Sequence, residues 1–186
     1  MPRCVTICAV GLVDESFLEH LAECISTRYG LICKISSRME SPEYAYNETR
    51  CQYNSKLILK HLLRQCPSDT LRFLGVTPVD LYVPILQFVF GLSQIEGQYS
   101  IISLHRLYPR FYNQPPNPDL LLTRLEKTAL HELGHTFGIT HCRDRRCVMY
   151  SSTRIEDTDF KQPDFCLTCF ELFRWHLEKA IDQNPS

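Results

Sequence analysis

The residues most able to do chemistry form one eleven-residue segment, His131-Glu132-Leu133-Gly134-His135-Thr136-Phe137-Gly138-Ile139-Thr140-His141, which reads HExxHxxGxxH. Two histidines four apart on a helix lie one turn above each other, so both imidazoles can reach a single ion. Gly138 can take the left-handed conformation that stops the helix and turns the chain back, presenting His141 as a third ligand. Three neutral imidazoles leave the ion its full charge and one position open, which is the ligand set of a catalytic zinc. Glu132, about a quarter-turn round from His131, can face that open position. The expected chemistry is hydrolysis: zinc polarises a carbonyl, Glu132 takes a proton from the attacking water, and that proton passes to the leaving amine. Five fixed positions coincide by chance in roughly one chain of this length in 10⁴ to 10⁵, so three unrelated histidines make the weaker reading.

A helix must carry this segment. Asn117 can cap it, Pro118 suits its first position, and the pattern runs to about Phe137. Leu122, Leu125, Ala129, Leu133 and Phe137 form one apolar seam. His131 and His135 fall on another side, which suits lining a cleft better than filling a core. Upstream, 5–10 reads as a strand. Asp14 can cap a helix whose apolar positions Phe17, Leu21, Cys24 and Ile25 share a face, with Gly30 as its stop. A strand over 31–36, a loop over 37–54, a helix over 55–65 ended by Pro67, and a strand over 71–76 follow. After an irregular stretch at 78–84, two strands at 87–95 and 98–104 are joined by a turn at Gly97, and 112–118 is a Pro-rich loop. Past Gly138 the pattern breaks into turns until about Pro163. A last helix then starts near Asp164 with Phe170, Phe173, Leu177 and Ile181 as its stripe, and 182–186 reads as a loose end.

The chain of 186 residues suits one domain with a sizeable core. Its formal net charge of −1 gives no argument for nucleic acid or an anionic membrane as partner. The apolar stretch 5–13 follows Arg3 but runs straight into Asp14-Glu15 without a small-x-small cleavage site, so it reads as a buried strand rather than an export signal. No run approaches the ~20 apolar residues of a membrane span. The reading is therefore a cytoplasmic, monomeric protein whose ten cysteines stay reduced or bind metal.

The HExxHxxGxxH segment resembles that of the metzincin peptidases, which also place a methionine in a tight turn beneath the metal. Met149, eight residues past His141, stands where that Met-turn would be. Astacin-like members carry a tyrosine two residues after this methionine; here Ser151 holds that place, so Tyr150 is not assigned as a ligand. The archaemetzincins are more similar still: their mark is a cysteine after the third histidine, a second two before the methionine, then CxxC. His141-Cys142, Cys147-Val148-Met149 and Cys166-Leu167-Thr168-Cys169 match it throughout. The resemblance implies an α/β (α+β) metzincin-like domain over 1–186. Its upper lobe, 1–137, holds a mixed, twisted five-stranded sheet with backing helices and the active-site helix. A small zinc-stapled lower lobe, 138–186, carries the Met-turn and the C-terminal helix. Substrate lies between the lobes, pairing antiparallel with an edge strand that the family likeness places at Phe88, Val89, Phe90 and Gly91.

Cys142-x₄-Cys147 and Cys166-x₂-Cys169 are two pairs with ligand spacing, and four thiolates suit a closed structural zinc. Cys166 and Cys169 would sit in the first turn of the last helix, where the dipole favours thiolate. Disulfides or free thiols are the alternatives. Two zinc ions per chain are thus expected. Cys4, Cys8, Cys24, Cys33, Cys51 and Cys66 lack ligand spacing and read as free thiols; His20, His61, His105 and His176 read as surface or packing residues. Phe88, Phe90, Tyr99, Tyr108, Phe111 and Tyr112 could line a cleft or simply pack. The function expected is a zinc peptidase acting on peptides or proteins. Its rivals are a catalytically silent zinc-stabilised binding module and a metal-dependent ribonuclease with the same histidine spacing, against which Glu132 and the cysteines argue.

Overall fold

The computed structural model of the chain describes residues 4–64 and 67–182. The thiol expected at Cys66, the end of the helix expected over 55–65 and the tail at 183–186 lie outside the described residues. In chain order come β1 (Cys4–Ala9), α1 (Glu15–Tyr29), β2 (Cys33–Ile35), β3 (Tyr46–Asn47), β4 (Gln52–Asn54), α2 (Ser55–Leu62), β5 (Thr70–Thr77) and β6 (Leu81–Tyr82). The hairpin of β7 (Gly91–Ser93) and β8 (Tyr99–Ser103) leads to the long helix α3 (Pro118–Thr136), and then α4 (Ile155–Phe160) and α5 (Leu167–Asp182).

The main sheet has the order β2-β1-β5-β8-β7. Its first four strands are parallel and β7 runs antiparallel at the edge. β1 lies between two parallel neighbours and is buried along its whole length, hence its unbroken apolar run. Alternate side chains serve opposite faces. Val5, Ile7 and Ala9 join Leu18, Leu21 and Ile25 of α1 and Leu125, Ala129 and Leu133 of α3 in one core. Cys8 and Val10 join Ile58, Leu59 and Leu62 of α2 in the other. The first core runs on without a break through Cys147, Met149, Cys169 and Phe173, so the C-terminal segment is packed into the body of the molecule. Among the described residues no helix is long and apolar enough to cross a membrane.

Helix ends follow their local chemistry. The Asp14 side chain accepts from Ser16 N and Gly30 closes α1 in the left-handed conformation; Asn117 accepts from Leu120 N at the start of α3, with Pro118 next. Several sequence expectations shift. The strand expected over 87–95 narrows to Gly91–Ser93, because Val89 turns the other way and bridges to Leu81. The expected loop 37–54 contains β3 and β4, which pair with β6 in a second, three-stranded sheet. The turn region before Pro163 contains α4, held to α3 by the fully buried Arg124, whose guanidinium forks onto Asp159 and also donates to the Leu107 carbonyl. Leu121, not Leu122, is buried in the α3 seam. On α5 only Phe173 of the expected stripe is fully buried and Leu177 partly so, while Phe170 and Ile181 are exposed.

Candidate active site and metal centres

The last two turns of α3 form the floor of a cleft of about 540 Å³. His131, Glu132 and His135 are buried there, and His141 returns to them from beyond Gly138, whose φ of +85° is the left-handed turn that the motif requires. The ligand-capable atoms of the three histidines lie within 4.8 Å of one another, and His131 Nε2 is 3.1 Å from His135 Nε2. Two nitrogens bound tetrahedrally at about 2.05 Å would stand about 3.3 Å apart, so the spacing fits one zinc. Hydrogen bonding fixes the tautomers. His131 Nδ1 is 2.7 Å from the Val148 carbonyl and His135 Nδ1 2.7 Å from the Ile139 carbonyl, so Nδ1–H donates in both and Nε2 keeps its lone pair for the ion. Burial, followed by the positive charge of Lys161 and the proximity of His135, holds His131 well below the ordinary imidazole range. Burial lowers His135 and His141 too, which favours the neutral form that binding a metal ion needs.

Beneath them, Met149 is buried against Gly134: a Cβ on that glycine would stand 2.4 Å from the methionine sulfur. The residue before Met149 supplies the carbonyl for His131, and the one before that, Cys147, belongs to the cysteine cluster. Cys142, Cys147, Cys166 and Cys169 converge within 4.8 Å, and the Cys142 and Cys166 sulfurs are 3.8 Å apart. That is the edge of a tetrahedron with Zn–S bonds of about 2.3 Å. Backbone N–H groups of Asp144 and Cys166 point at the sulfurs of Cys142 and Cys147. Burial raises the Cys147 and Cys169 thiols, while hydrogen bonds from Cys169 and the neighbouring thiols overcome burial at Cys166 and lower it. Cys166 stands just before the first residue of α5, not within its first turn, and its carbonyl accepts from Phe170 N.

The opposite rim is β7. Gln94 N donates to Tyr99 O and Ser103 N to Phe90 O, so residues 90, 92 and 94 bond inward to β8. In an antiparallel ladder the alternate residues, Gly91 and Ser93, then turn their N–H and C=O outward to the cleft. Of the expected edge residues, Phe88, Val89, Phe90 and Gly91 all line the cleft, but only Gly91 lies in the strand. Tyr99, Tyr108, Phe111 and Tyr112 do not line it.

The sequence profile of peptidase family M54 matches residues 16–175. The chain belongs to this family. It is 42% identical over 167 residues to an archaemetzincin of Methanocaldococcus jannaschii, covering 90% of each chain. The crystal structure of archaemetzincin from Methanopyrus kandleri superposes with a TM-score of 0.84 at 35% identity, covering 95% of this chain and 96% of that one. A structure described as a zinc-dependent peptidase from Methanocorpusculum labreanum superposes with a TM-score of 0.81 at 27% identity, covering 91% and 99%. Membership of M54 makes the chain a zinc metallopeptidase, a hydrolase.

Ser93 and Lys161 of this M54 site were not singled out from sequence, and Gly91 was expected only as part of the edge strand. Ser93 Oγ hydrogen-bonds both the carbonyl and the carboxylate of Glu132. Gly91 leaves room for that carboxylate, since a Cβ there would stand 2.6 Å from Glu132 Cγ. Lys161, fully buried, lines the cleft, donates to the Tyr150 carbonyl at 3.1 Å and lies 3.3 Å from His131 Nδ1. No spacing rule could name Ser93, Lys161 or the fit of Gly91 against Glu132, because these contacts arise only through the fold. Burial raises Glu132 to about 7, opposed by the Ser93 hydrogen bond and the Lys161 charge. Burial likewise brings Lys161 down to about 8.

Proposed function

We propose that this M54 peptidase hydrolyses peptide bonds with Glu132 as general base, and that it holds two zinc ions, one on His131, His135 and His141 and one on Cys142, Cys147, Cys166 and Cys169. A zinc ion on the histidines would polarise the scissile carbonyl and acidify a water molecule. The observation that carries the reading is Glu132 itself: a buried carboxylate lining the same cleft as His131, His135 and His141. Its pKa, raised by burial towards 7, suits a group that must both take and return a proton near neutral pH. Ser93 holds one carboxylate oxygen in place, and Lys161 favours the ionised form. Glu132 would take a proton from the attacking water at a carboxylate oxygen and deliver it to the departing nitrogen.

The outward-facing backbone of Gly91 and Ser93 supports an extended peptide binding as an added antiparallel strand. Phe88, Phe90 and Leu92 beside it supply apolar walls, which favours apolar side chains flanking the cut. Such a substrate would be a peptide or an exposed protein segment.

A diverse peptide library incubated with zinc-replete protein and read by mass spectrometry tests this, with Glu132→Gln of equal metal content alongside. Cuts made by the wild type and lost in Glu132→Gln are the expected result, with apolar residues enriched at the cut. Equal cutting by both would remove Glu132 from its role. Intact metal with no cutting by either would favour the silent binding module.

A further inference from the structure

Away from the cleft, α1 and α3 bring three metal-binding side chains of different kinds to one point. His20 and Cys24 are one turn apart on α1, with His20 Nε2 3.4 Å from Cys24 Sγ. Glu126 on α3 adds a carboxylate oxygen, and all three ligand atoms lie within 4.8 Å of one another. Bonds of about 2.05 Å to nitrogen and about 2.3 Å to sulfur at the tetrahedral angle put those two atoms about 3.5 Å apart. The imidazole–thiol edge is therefore already at binding length, and the Glu126 carboxylate lies within 4.8 Å of both atoms. All three residues are half-buried, so an ion can enter from solvent.

The surroundings are those of a ligand set. Arg28 Nε donates to Glu126 Oε1 and its Nη1 donates to Asp164. The guanidinium thus orients the carboxylate, the arrangement by which outer partners fix metal-binding carboxylates. With Cys24 as thiolate, the charges of Cys24, Glu126 and Asp164 against Arg28 sum to −2, which a divalent cation neutralises. Burial, with the carboxylates of Glu126 and Glu23 acting against Arg28, raises the Cys24 thiol to about 11. Without an ion it is thus a protonated thiol and a poor nucleophile, which argues against a reactive cysteine.

We infer that His20, Cys24 and Glu126 bind a third zinc ion, with water in the fourth position, and that this ion staples α1 to the active-site helix. One imidazole, one thiolate and one carboxylate select a borderline divalent cation over calcium or magnesium, which prefer oxygen alone. Binding releases the thiol proton to solvent as the S–Zn bond forms. Glu126 lies five residues before His131, so the staple holds α3 about a turn and a half before its first catalytic ligand.

The test is metal content after equilibrium dialysis of the full chain against a zinc buffer of fixed free concentration, measured by plasma mass spectrometry. Wild-type protein should retain one more equivalent than His20→Ala and than Cys24→Ser, while both variants keep the rest. Free zinc raised through the range that fills this equivalent should also raise the melting temperature of the wild type and not of the variants. Glu126→Gln, which keeps the size of the side chain and a hydrogen-bonding oxygen for Arg28, covers the case in which an α1 variant folds poorly; it should weaken binding of the same equivalent at least tenfold. Equal zinc content in wild type and all three variants overturns the inference, as does a third equivalent that calcium or magnesium displaces.

Discussion

At the residue scale the site depends on how Glu132 is held. Its carboxylate is buried, which opposes ionisation, and the Ser93 hydroxyl and the Lys161 ammonium pull the other way. The proposed base must be ionised to act, so kcat/KM should fall as pH drops through the Glu132 pKa. That pKa lies near 7 from the protein's own groups, and a cation on the neighbouring histidines moves it lower. Ser93→Ala removes a stabiliser of the ionised form, so the acidic limb should move to higher pH. A lost hydrogen bond to a charged group costs about 1.5–3 kcal/mol, or roughly a tenfold to hundredfold loss of kcat/KM. Kinetics across pH 5 to 9 check both, and an unmoved limb with full activity would deny Ser93 any hold on the base. His131, Glu132, His135 and His141 were legible before any fold was known, because helical period and one glycine suffice to bring them together. Ser93 was not: its link to Glu132 spans 39 positions and needs β7 beside α3.

At the element scale the question is why α3 can sit so close to its surroundings. Gly134 and Gly91 are the contact points, the first against Met149 Sδ and the second against the Glu132 side chain. Gly134 is helical, so Gly134→Ala would stabilise an isolated helix by up to about 1 kcal/mol. Here the added methyl meets sulfur at 2.4 Å, and overpacking should win, destabilising the protein by about 1–3 kcal/mol in urea unfolding. Met149→Ala alone leaves a cavity, but it also makes room for that methyl. The double variant should therefore be more stable than the sum of the single losses predicts, by at least about 0.5 kcal/mol. Strict additivity would mean that the two residues do not press on each other. The long elements were readable in advance, since caps and apolar period define α1 and α3 locally. The short ones were not. β3, β4 and β6 exist because they pair with one another, and they give the cleft rim its anchor: Arg50 and Gln52 both donate to the Gln87 carbonyl. α4 has no apolar stripe of its own and is held by Arg124 and Lys127, whose buried cations meet Asp159 and the last carbonyls of that helix.

At the scale of the whole molecule, the cysteine cluster and the histidine site behave as one unit, because three consecutive residues join them. Cys147 belongs to the cluster, Val148 accepts the His131 Nδ1 hydrogen bond, and Met149 packs beneath Gly134. The cluster also gathers Cys142, next to the third histidine, and the start of α5, whose Phe173 ring packs at an angle against Tyr29 of α1 and edge-on against Phe137 at the end of α3. α5 buries only Cys169 and Phe173 fully and leaves Leu167, Phe170, Leu172, Trp175 and Ile181 exposed, so little apolar burial holds it in place. The zinc ion proposed on the cysteine cluster would compensate as a cross-link. Cys166→Ser should therefore cost one equivalent of zinc and lower the melting temperature, and it should also cut peptidase activity at least tenfold although Cys166 does not line the cleft. The order of events separates this from simple unfolding. On titration with a chelator, activity should fall with loss of the first zinc to leave either the histidine or the cysteine site, while the helical far-ultraviolet circular dichroism persists. Full activity in a folded Cys166→Ser protein lacking the structural ion would show that Val148 and Met149 keep their places without it, and would reduce the cluster to a staple for α5 alone.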